Sequence, residues 1–457
     1  MSKLALLGGT PVVKKTYPDY MSIGKEEVAA ATRVMKRGHL SCFFGSNHEN
    51  FYGGPEVRSL EKEWADYCGA AHAITLNSAA SGLLAAVGAL EVGPGDEVIV
   101  SPYSMSCSAT VPLFYGAIPV FADIEEDTFG LDPKSVEKLI SSKTKAIIVV
   151  HLAGHMARMD EIVNIAKKHN IKIIEDCAQA PGAADNGKFA GTVGDIGVFS
   201  LNCHKIINTG EGGVCVTNDE ELAKRLQLIR NHAEAVIGGG FKVKSLANMV
   251  GFNMRMGELE AAVAREQLKK LDALIQGRID LTGRLTDKLA RMPGIIPPPT
   301  RKNCRHSWYM YCPRIDTKTV KISRNLFAKA LAAEGLPFVP GYGQPLYLLP
   351  VFQQKIAIGK KGFPFTAEEN KNLNQSYGKG VSPVCERLES KELLQGWAIR
   401  PPLTFKDMDD IARGFEKVLG NTKELVTLDE DDGPVLPPDS ASRRTMFRKS
   451  KLQDPVS

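Results

Sequence analysis

Between residues 56 and 217 the chain alternates two hydrophobic rhythms. Segment 56–68 (EVRSLEKEWADYC) repeats at helical spacing, with Val57, Leu60, Trp64 and Tyr67 on one face. Short β-branched runs follow at 73–76, 97–101, 118–121, 146–151, 171–175, 197–201 and 214–217, the last entered through a glycine turn at 210–213. Residues 78–90 are so rich in small and apolar side chains that they read as a buried helix. Short apolar strands separated by helical segments predict βαβ units and a mostly parallel sheet.

A long helical pattern covers 257–291, and the sequence PGIIPPP at 293–299 breaks it. Beyond the break, 307–314 reads as a strand, 324–334 as a helix and 407–419 as a last helix. The reading is a large α/β domain with an N-terminal arm over 1–280 and a smaller α+β domain over 281–420. Residues 421–457 combine an acidic cluster at 429–432, prolines and the basic run SRRTMFRKSK, the composition of a mobile, solvated tail.

Composition narrows the class. Of 457 residues, 43% are hydrophobic and 24% charged, which excludes a disordered chain or a rod. A net charge of +5 is too small to argue for nucleic acid or a membrane surface as partner. No apolar run is long enough to span a membrane, and MSKLALLGGTPVV is too short and glycine-broken for a signal peptide. Nine cysteines without a C-x-x-C pair point to a reducing compartment, and the expected location is cytoplasmic. No metal site is expected: His151 and His155 have suitable spacing but no acidic third ligand nearby in sequence.

Three segments carry candidate chemistry. IIED ends a strand at Asp176, where open α/β sheets present ligand-contacting side chains. Lys205 follows 29 residues later, at the end of an apolar strand; if desolvated, its neutral amine is the nucleophile a Schiff base needs. Asn77–Ser78–Ala79–Ala80–Ser81–Gly82 opens a helix, where backbone N–H groups and hydroxyls suit a phosphate. Taken singly, Asp176 reads equally as a turn former, Lys205 as a surface lysine and Ser78 as an ordinary N-cap. Together, a phosphate cradle, a carboxylate and a lysine are what pyridoxal 5′-phosphate requires.

The stretches VGPGDEVIV (92–100), GAIPVFADI (116–124), EDCAQAPGA (175–183), GDIGVFSLNCHKIINTGEGG (194–213), GFNMRMGELEAA (251–262) and RPPLTFKDMDDI (400–411) resemble the DegT/DnrJ/EryC1/StrS family of sugar aminotransferases. The resemblance runs from about residue 4 to 419. It implies a fold-type I pyridoxal-phosphate transferase working as a homodimer with shared active sites. By it, Lys205 aligns with the lysine that forms the Schiff base, Asp176 with the partner of the ring nitrogen, and Gln179 with the residue beside the ring. Ser200 and Ser78–Ala79–Ala80 align with phosphate contacts, Met105 with the ring-stacking position, and Asn253 with an asparagine reaching the partner's phosphate. His306, Tyr309 and Arg400 align near the substrate, and VPGYGQPLY (339–347) suits a substrate-lining loop.

The implied reaction takes an amino group from glutamate or glutamine to a keto sugar, often nucleotide-linked, or a keto-cyclitol, within amino-sugar biosynthesis. Two departures stand out. The usual S-G-T is Ser78–Ala79–Ala80 here, and the usual stacking aromatic is Met105, with Tyr103 as a substitute. Two further readings remain: a sugar dehydratase, whose branch carries histidine at the lysine position and for which His204 is the neighbouring residue, and a non-catalytic cofactor-binding protein.

Overall fold

The computed structural model describes residues 2–373, 375–426 and 428. Its centre is a seven-stranded sheet built from β1 (His72–Leu76), β2 (Glu97–Val100), β3 (Ile118–Phe121), β4 (Thr144–Val150), β5 (Lys172–Asp176), β6 (Ile196–Ser200) and β7 (Gly213–Thr217). The spatial order is β1-β7-β6-β5-β4-β2-β3. Strands β3 through β6 run parallel, and β7 is antiparallel to both its neighbours. The strands are apolar on both faces because helices cover both.

One face packs on α2 (Pro55–Cys68) through Val57, Leu60 and Trp64, and on α5 (Glu258–Leu289) through Ala261, Ala264 and Leu271. Helix α1 (Lys25–Arg37) lies outside these, meeting α5 through Ala30, Val34 and Ala262. The opposite face packs on α3 (Ala79–Ala89) and α4 (Cys107–Phe114). Helix α3 is made of small residues because it sits hard on the sheet. A Cβ added at Gly82 would stand 2.7 Å from Val198 Cγ1 and 3.1 Å from Cys215 Sγ.

The smaller α+β domain has its own core, in which Phe327 and Phe338 pack with Phe415 of α6 (Phe405–Gly420). Three boundaries differ from the sequence reading. Helix α5 runs unbroken through residue 280, so Leu281, Leu285 and Leu289 belong to the small-domain core while its first turns serve the large one. The N-terminal arm packs on the small domain through Leu4, Val13 and Tyr17. It is held there by buried Glu334, whose carboxylate accepts the amides of Ala5 and Val12 and pairs with Lys417. The small domain continues past 420: Thr422–Leu425 is a helical turn with Leu425 fully buried. The rest of the expected tail, apart from 426 and 428, lies outside the described residues.

The strand expected over 307–314 is not formed. Its first half bonds to the large domain, Ser307 N to the Gly154 carbonyl and Met310 N to that of Ala153, while Tyr311 exchanges backbone bonds with Gly396 and Arg314 pairs with Ile296 in a two-residue strand. This pins Tyr309 and Met310 in the large-domain core. Between the paired strands Phe338–Pro340 and Leu394–Gly396, the chain makes a long excursion across the β2–β3 edge. Tyr377 there donates to the Pro119 carbonyl, Asn370 bridges Gly95 and Gly116, and Asp123 accepts the amides of Val384 and Cys385.

Candidate active site

The carboxyl ends of β5 and β6 and the start of α3 enclose a cavity of about 290 Å³. Six sequence-predicted cofactor contacts line it besides Lys205 and Asp176: Ser78, Ala79, Ala80, Met105, Gln179 and Ser200. Topology explains the convergence. Asp176 and Ser200 end adjacent parallel strands, with Asp176 in register with Val198, two residues before Ser200. Lys205 lies on the loop that leaves β6.

Asp176 is buried, and each of its carboxylate oxygens has a donor: Ser108 Oγ at 2.7 Å on Oδ2 and the Ala178 amide at 3.1 Å on Oδ1. Ser108 in turn shares a hydrogen bond of 3.1 Å with Ser104, which lines the cavity. The carboxylate is thereby fixed in orientation. Its neighbour Glu175 points the other way, into the core. Burial pushes the Glu175 carboxyl up, but His151 and the amides of Gly194 and Gly191 overcome this and hold it below its ordinary value. His151, Glu175 and Cys177 stand close enough to suggest a metal. The donor chemistry argues against one: Glu175 is saturated by backbone amides, and burial keeps the Cys177 thiol protonated.

Lys205 is 8% exposed, with its Nζ 4.8 Å from the centroid of the Tyr309 ring. Tyr309 packs edge-on against Trp397. His204 also borders the cavity, but its ring is 6.3 Å from that of Tyr309. Gln179 accepts the Ala153 amide at 2.7 Å and donates to Tyr342 Oη at 3.0 Å. Tyr342, within the predicted loop 339–347, forms a cavity wall.

The site fits a phosphate-bearing pyridine aldehyde. At the start of α3, Ser78 Oγ caps the Ser81 amide at 3.1 Å, and the Gly82 amide bonds back to Ser78. That leaves the first-turn amides of Ala79 and Ala80, two residues that line the cavity, without an acceptor among the described residues. The missing threonine hydroxyl therefore removes one donor from a cradle that keeps its backbone donors. A carboxylate and an amine complete the set, the complement of a ring nitrogen and an aldehyde.

Other predicted residues fall elsewhere. His306 does not reach the cavity. It is buried, stacked on Trp308 at 3.8 Å and set edge-on to His155, and its Nδ1 accepts the Trp308 amide. Burial and His155 hold its imidazole neutral, so packing explains it. Arg400 lies over the ring of Tyr20 and does not line the cavity. Tyr103 is buried, its hydroxyl accepting the Tyr342 amide at 2.7 Å, so the wall position belongs to Met105, which is 59% exposed. Asn253 is exposed, accepts from Arg255 and does not line this chain's own cavity. Sequence reasoning missed Ser108, which the serine run in YSMSCS after β2 marks, and held Tyr342 only as part of the loop 339–347.

Comparison with known proteins places this arrangement. GDP-perosamine synthase of Caulobacter vibrioides is 37% identical over 300 residues, covering 65% of this chain and 79% of that one. The L-glutamine:2-deoxy-scyllo-inosose aminotransferase of Streptoalloteichus tenebrarius is 32% identical over 438 residues, 92% of this chain and 99% of that one. Among solved structures, Spr1654 of Streptococcus pneumoniae in its PMP form superposes with a TM-score of 0.73 at 25% identity, covering 91% of this chain and all of that one; it is also known in a PLP form. A family model matches residues 24–373, well over half the length, and the chain belongs to the DegT/DnrJ/EryC1/StrS aminotransferase family.

Proposed function

We propose that this protein is a pyridoxal-phosphate-dependent aminotransferase that carries an amino group from glutamate or glutamine to the keto group of a sugar or cyclitol. The observation that carries the reading is the convergence of Lys205, Asp176 and the open amides of α3 on one cavity. Pyridoxal phosphate, when bound, supplies an aldehyde to take up the amino group and a ring that accepts the electrons of a carbanion.

The chain's own residues do the rest. Asp176, oriented by Ser108 and Ala178, would hold the ring nitrogen in its protonated form through a charge-assisted bond, roughly twice as strong as a neutral one. The amides of Ala79 and Ala80, with Ser200, would hold the phosphate. Lys205 Nζ would serve as the proton carrier, a base toward the donor's α-carbon and then an acid toward the carbon that the cofactor's aldehyde supplies. Tyr309 and Trp397 wall the amine from water on one side.

Support for a polyhydroxylated ketone as acceptor comes from relatives named for a GDP-linked sugar and for an inosose. A keto sugar, nucleotide-linked or free, and a keto-cyclitol both fit. Nine free cysteines support a cytoplasmic, reducing setting. We place Asn253 in the site of a second copy, since its side chain is exposed and does not line this chain's own cavity.

The test is borohydride reduction of protein loaded with pyridoxal phosphate, followed by peptide mass mapping. The label is expected at Lys205. L-Glutamate or L-glutamine should then yield the 2-oxo acid, and a keto sugar or keto-cyclitol should discharge the amino group. No label at Lys205, or no oxo acid from either donor, refutes the reading.

A further inference from the structure

The loop that carries Lys205 is held from behind by the N-terminal arm. That loop is closed at its base by the Thr209 amide, which donates to the Leu201 carbonyl at 2.9 Å. The two residues after the lysine, Ile206 and Ile207, are fully buried. The Tyr20 hydroxyl donates to the Ile206 carbonyl at 2.5 Å. Further along the arm, Ser22 Oγ accepts from Asn208 Nδ2 at 3.1 Å. The arm thus grips the chain immediately past Lys205.

Gln267 of α5 closes this grip, and its side chain is 0% exposed. Its Nε2 donates to the Ser22 carbonyl at 2.9 Å and to Glu27 Oε1 of α1 at 2.7 Å. Its Oε1 accepts the Ser22 hydroxyl at 2.7 Å and the Asn208 amide at 3.2 Å. A primary amide offers two donors and two lone pairs, so every position is taken. The direction of the bonds is fixed as well. Burial pushes the Glu27 carboxyl up, but Lys270, Gln267 and the Gly24 amide outweigh it and hold the carboxyl below its ordinary value. Glu27 is therefore a carboxylate, which only accepts, and it must face the nitrogen of Gln267. The oxygen of Gln267 is left to Ser22 and Asn208.

One buried side chain thereby joins the arm, α1 and the lysine loop. A network of this kind specifies one geometry, because any other leaves buried polar groups unpaired. Packing of Ile206 and Ile207 draws the loop into the core without direction, and the bonds from Tyr20 and Gln267 set where its backbone sits. The arm is also tied to the small domain through Val13, Tyr17 and Glu334, so the loop is referenced to both domains.

We infer that Gln267 is a positioning residue for Lys205: with Tyr20 and Ser22 it fixes the backbone at 206–208 and so sets where the amine stands. The assignment rests on the aminotransferase reading, in which Lys205 must meet two carbons in succession. A misplacement of about 1 Å can cost about 100-fold in rate. None of the three side chains lines the cavity, so substrate binding should be spared.

Two readouts on the full-length protein test the assignment, with Gln267→Met and Tyr20→Phe as variants. Methionine keeps the length of glutamine without its polar atoms, and phenylalanine keeps the ring beside Arg278 and Arg400. The first readout is hydrogen exchange of the Lys205 amide before loading with pyridoxal phosphate, resolved by fragmentation mass spectrometry. That amide donates to the Asn202 carbonyl at 2.9 Å, a bond neither variant touches. Relative to the amides of β5, its exchange should rise about 10-fold or more in Gln267→Met, and less in Tyr20→Phe. The second is the donor half-reaction of the loaded protein with L-glutamate or L-glutamine. Its saturating rate should fall about 10- to 100-fold in Gln267→Met, with the half-saturating donor concentration within about twofold of wild type. A merely structural role would lower the urea midpoint and leave the rate per bound cofactor unchanged.

A Lys205 amide that exchanges as in the wild type in both variants, or a saturating rate within about twofold of wild type in both, overturns the assignment. If Gln267→Met does not fold, Tyr20→Phe decides alone. If the wild type releases no oxo acid but its Lys205 amide loosens in the variants, the aminotransferase reading falls and the hold of the arm on the lysine loop stands.

Discussion

Gly213→Ala is a one-carbon change that should disturb the anion cradle without touching any charged group. Gly213 opens β7 opposite Leu76, where β7 passes under the start of α3. A Cβ there would stand 2.4 Å from the Ser78 carbonyl carbon, 2.5 Å from its oxygen and 2.6 Å from the Ala79 nitrogen. Carbon contacts settle near 3.5–4.0 Å, so α3 must retreat by about 1 Å. All three atoms are backbone, so no side chain can swing aside. Overpacking of this kind costs about 1–3 kcal/mol of stability. The functional effect is more specific, because the amides of Ala79 and Ala80 move with the helix. Losing one charge-assisted bond of about 1.5–3 kcal/mol weakens a phosphate ligand by roughly 10- to 100-fold. The assay is equilibrium titration with pyridoxal phosphate and with pyridoxal, read by absorbance, alongside urea unfolding of the protein without cofactor. Binding of pyridoxal phosphate should fall, and binding of the dephosphorylated form should barely change. Gly238→Ala, at a helix end with open space around it, serves as the control. Affinity for pyridoxal phosphate within twofold of wild type, with an unchanged urea midpoint, would show that the close approach of β7 to α3 does not shape the cradle.

Glu175→Gln should cost about 3–5 kcal/mol in urea unfolding, because it leaves His151 and three amides without the buried charge they surround. In the wild type, the lowered Glu175 pKa means this stability is present above the ordinary carboxylate range and is lost as pH falls through the folded value, so the same titration at acid pH should converge on the variant. Ser108→Ala strips the donor from Asp176 Oδ2 and should lower kcat about 10-fold, with donor and acceptor KM little changed. His306→Phe should leave KM for both substrates within twofold while lowering the urea midpoint, because the ring stacks on Trp308 and does not meet the cavity.

Much of the cavity was legible because its chemistry sits at strand ends. Asp176 and Ser200 close short strands whose apolar residues are buried, and such runs announce themselves in sequence. The small-residue helix was equally plain, since packing against β6 and β7 admits little else at Gly82. The contacts between segments were not visible. Ser108 meets Asp176 across 68 residues, and Gln179 meets Tyr342 across 163. No periodicity encodes a hydrogen bond between segments so far apart in the chain. The segment after residue 305 misled for a related reason: its alternation suits a strand, but its partners are split, with Ser307 and Met310 on carbonyls of a large-domain loop and Tyr311 on Gly396. Likewise the arm carries no signal that Glu334 will collect its amides. The tie is made by a buried carboxylate more than 300 residues away in the chain.

The departure at Ser78–Ala79–Ala80 follows from the same division between backbone and side chain. A helix start offers its first amides to an anion whatever side chains it carries, and here the Ser78 cap consumes the third amide while sparing the first two. Replacing a threonine by alanine therefore subtracts one hydroxyl from a cradle whose main donors are peptide groups. What the cradle cannot tolerate is a shift of the helix itself, and that is set by glycines at two places where α3 touches the sheet, Gly82 in the helix and Gly213 beneath it. The lysine and carboxylate have no such backbone substitute. The site can change at its phosphate end and keep its chemistry, while a change at Lys205 or Asp176 removes a function no neighbouring group supplies.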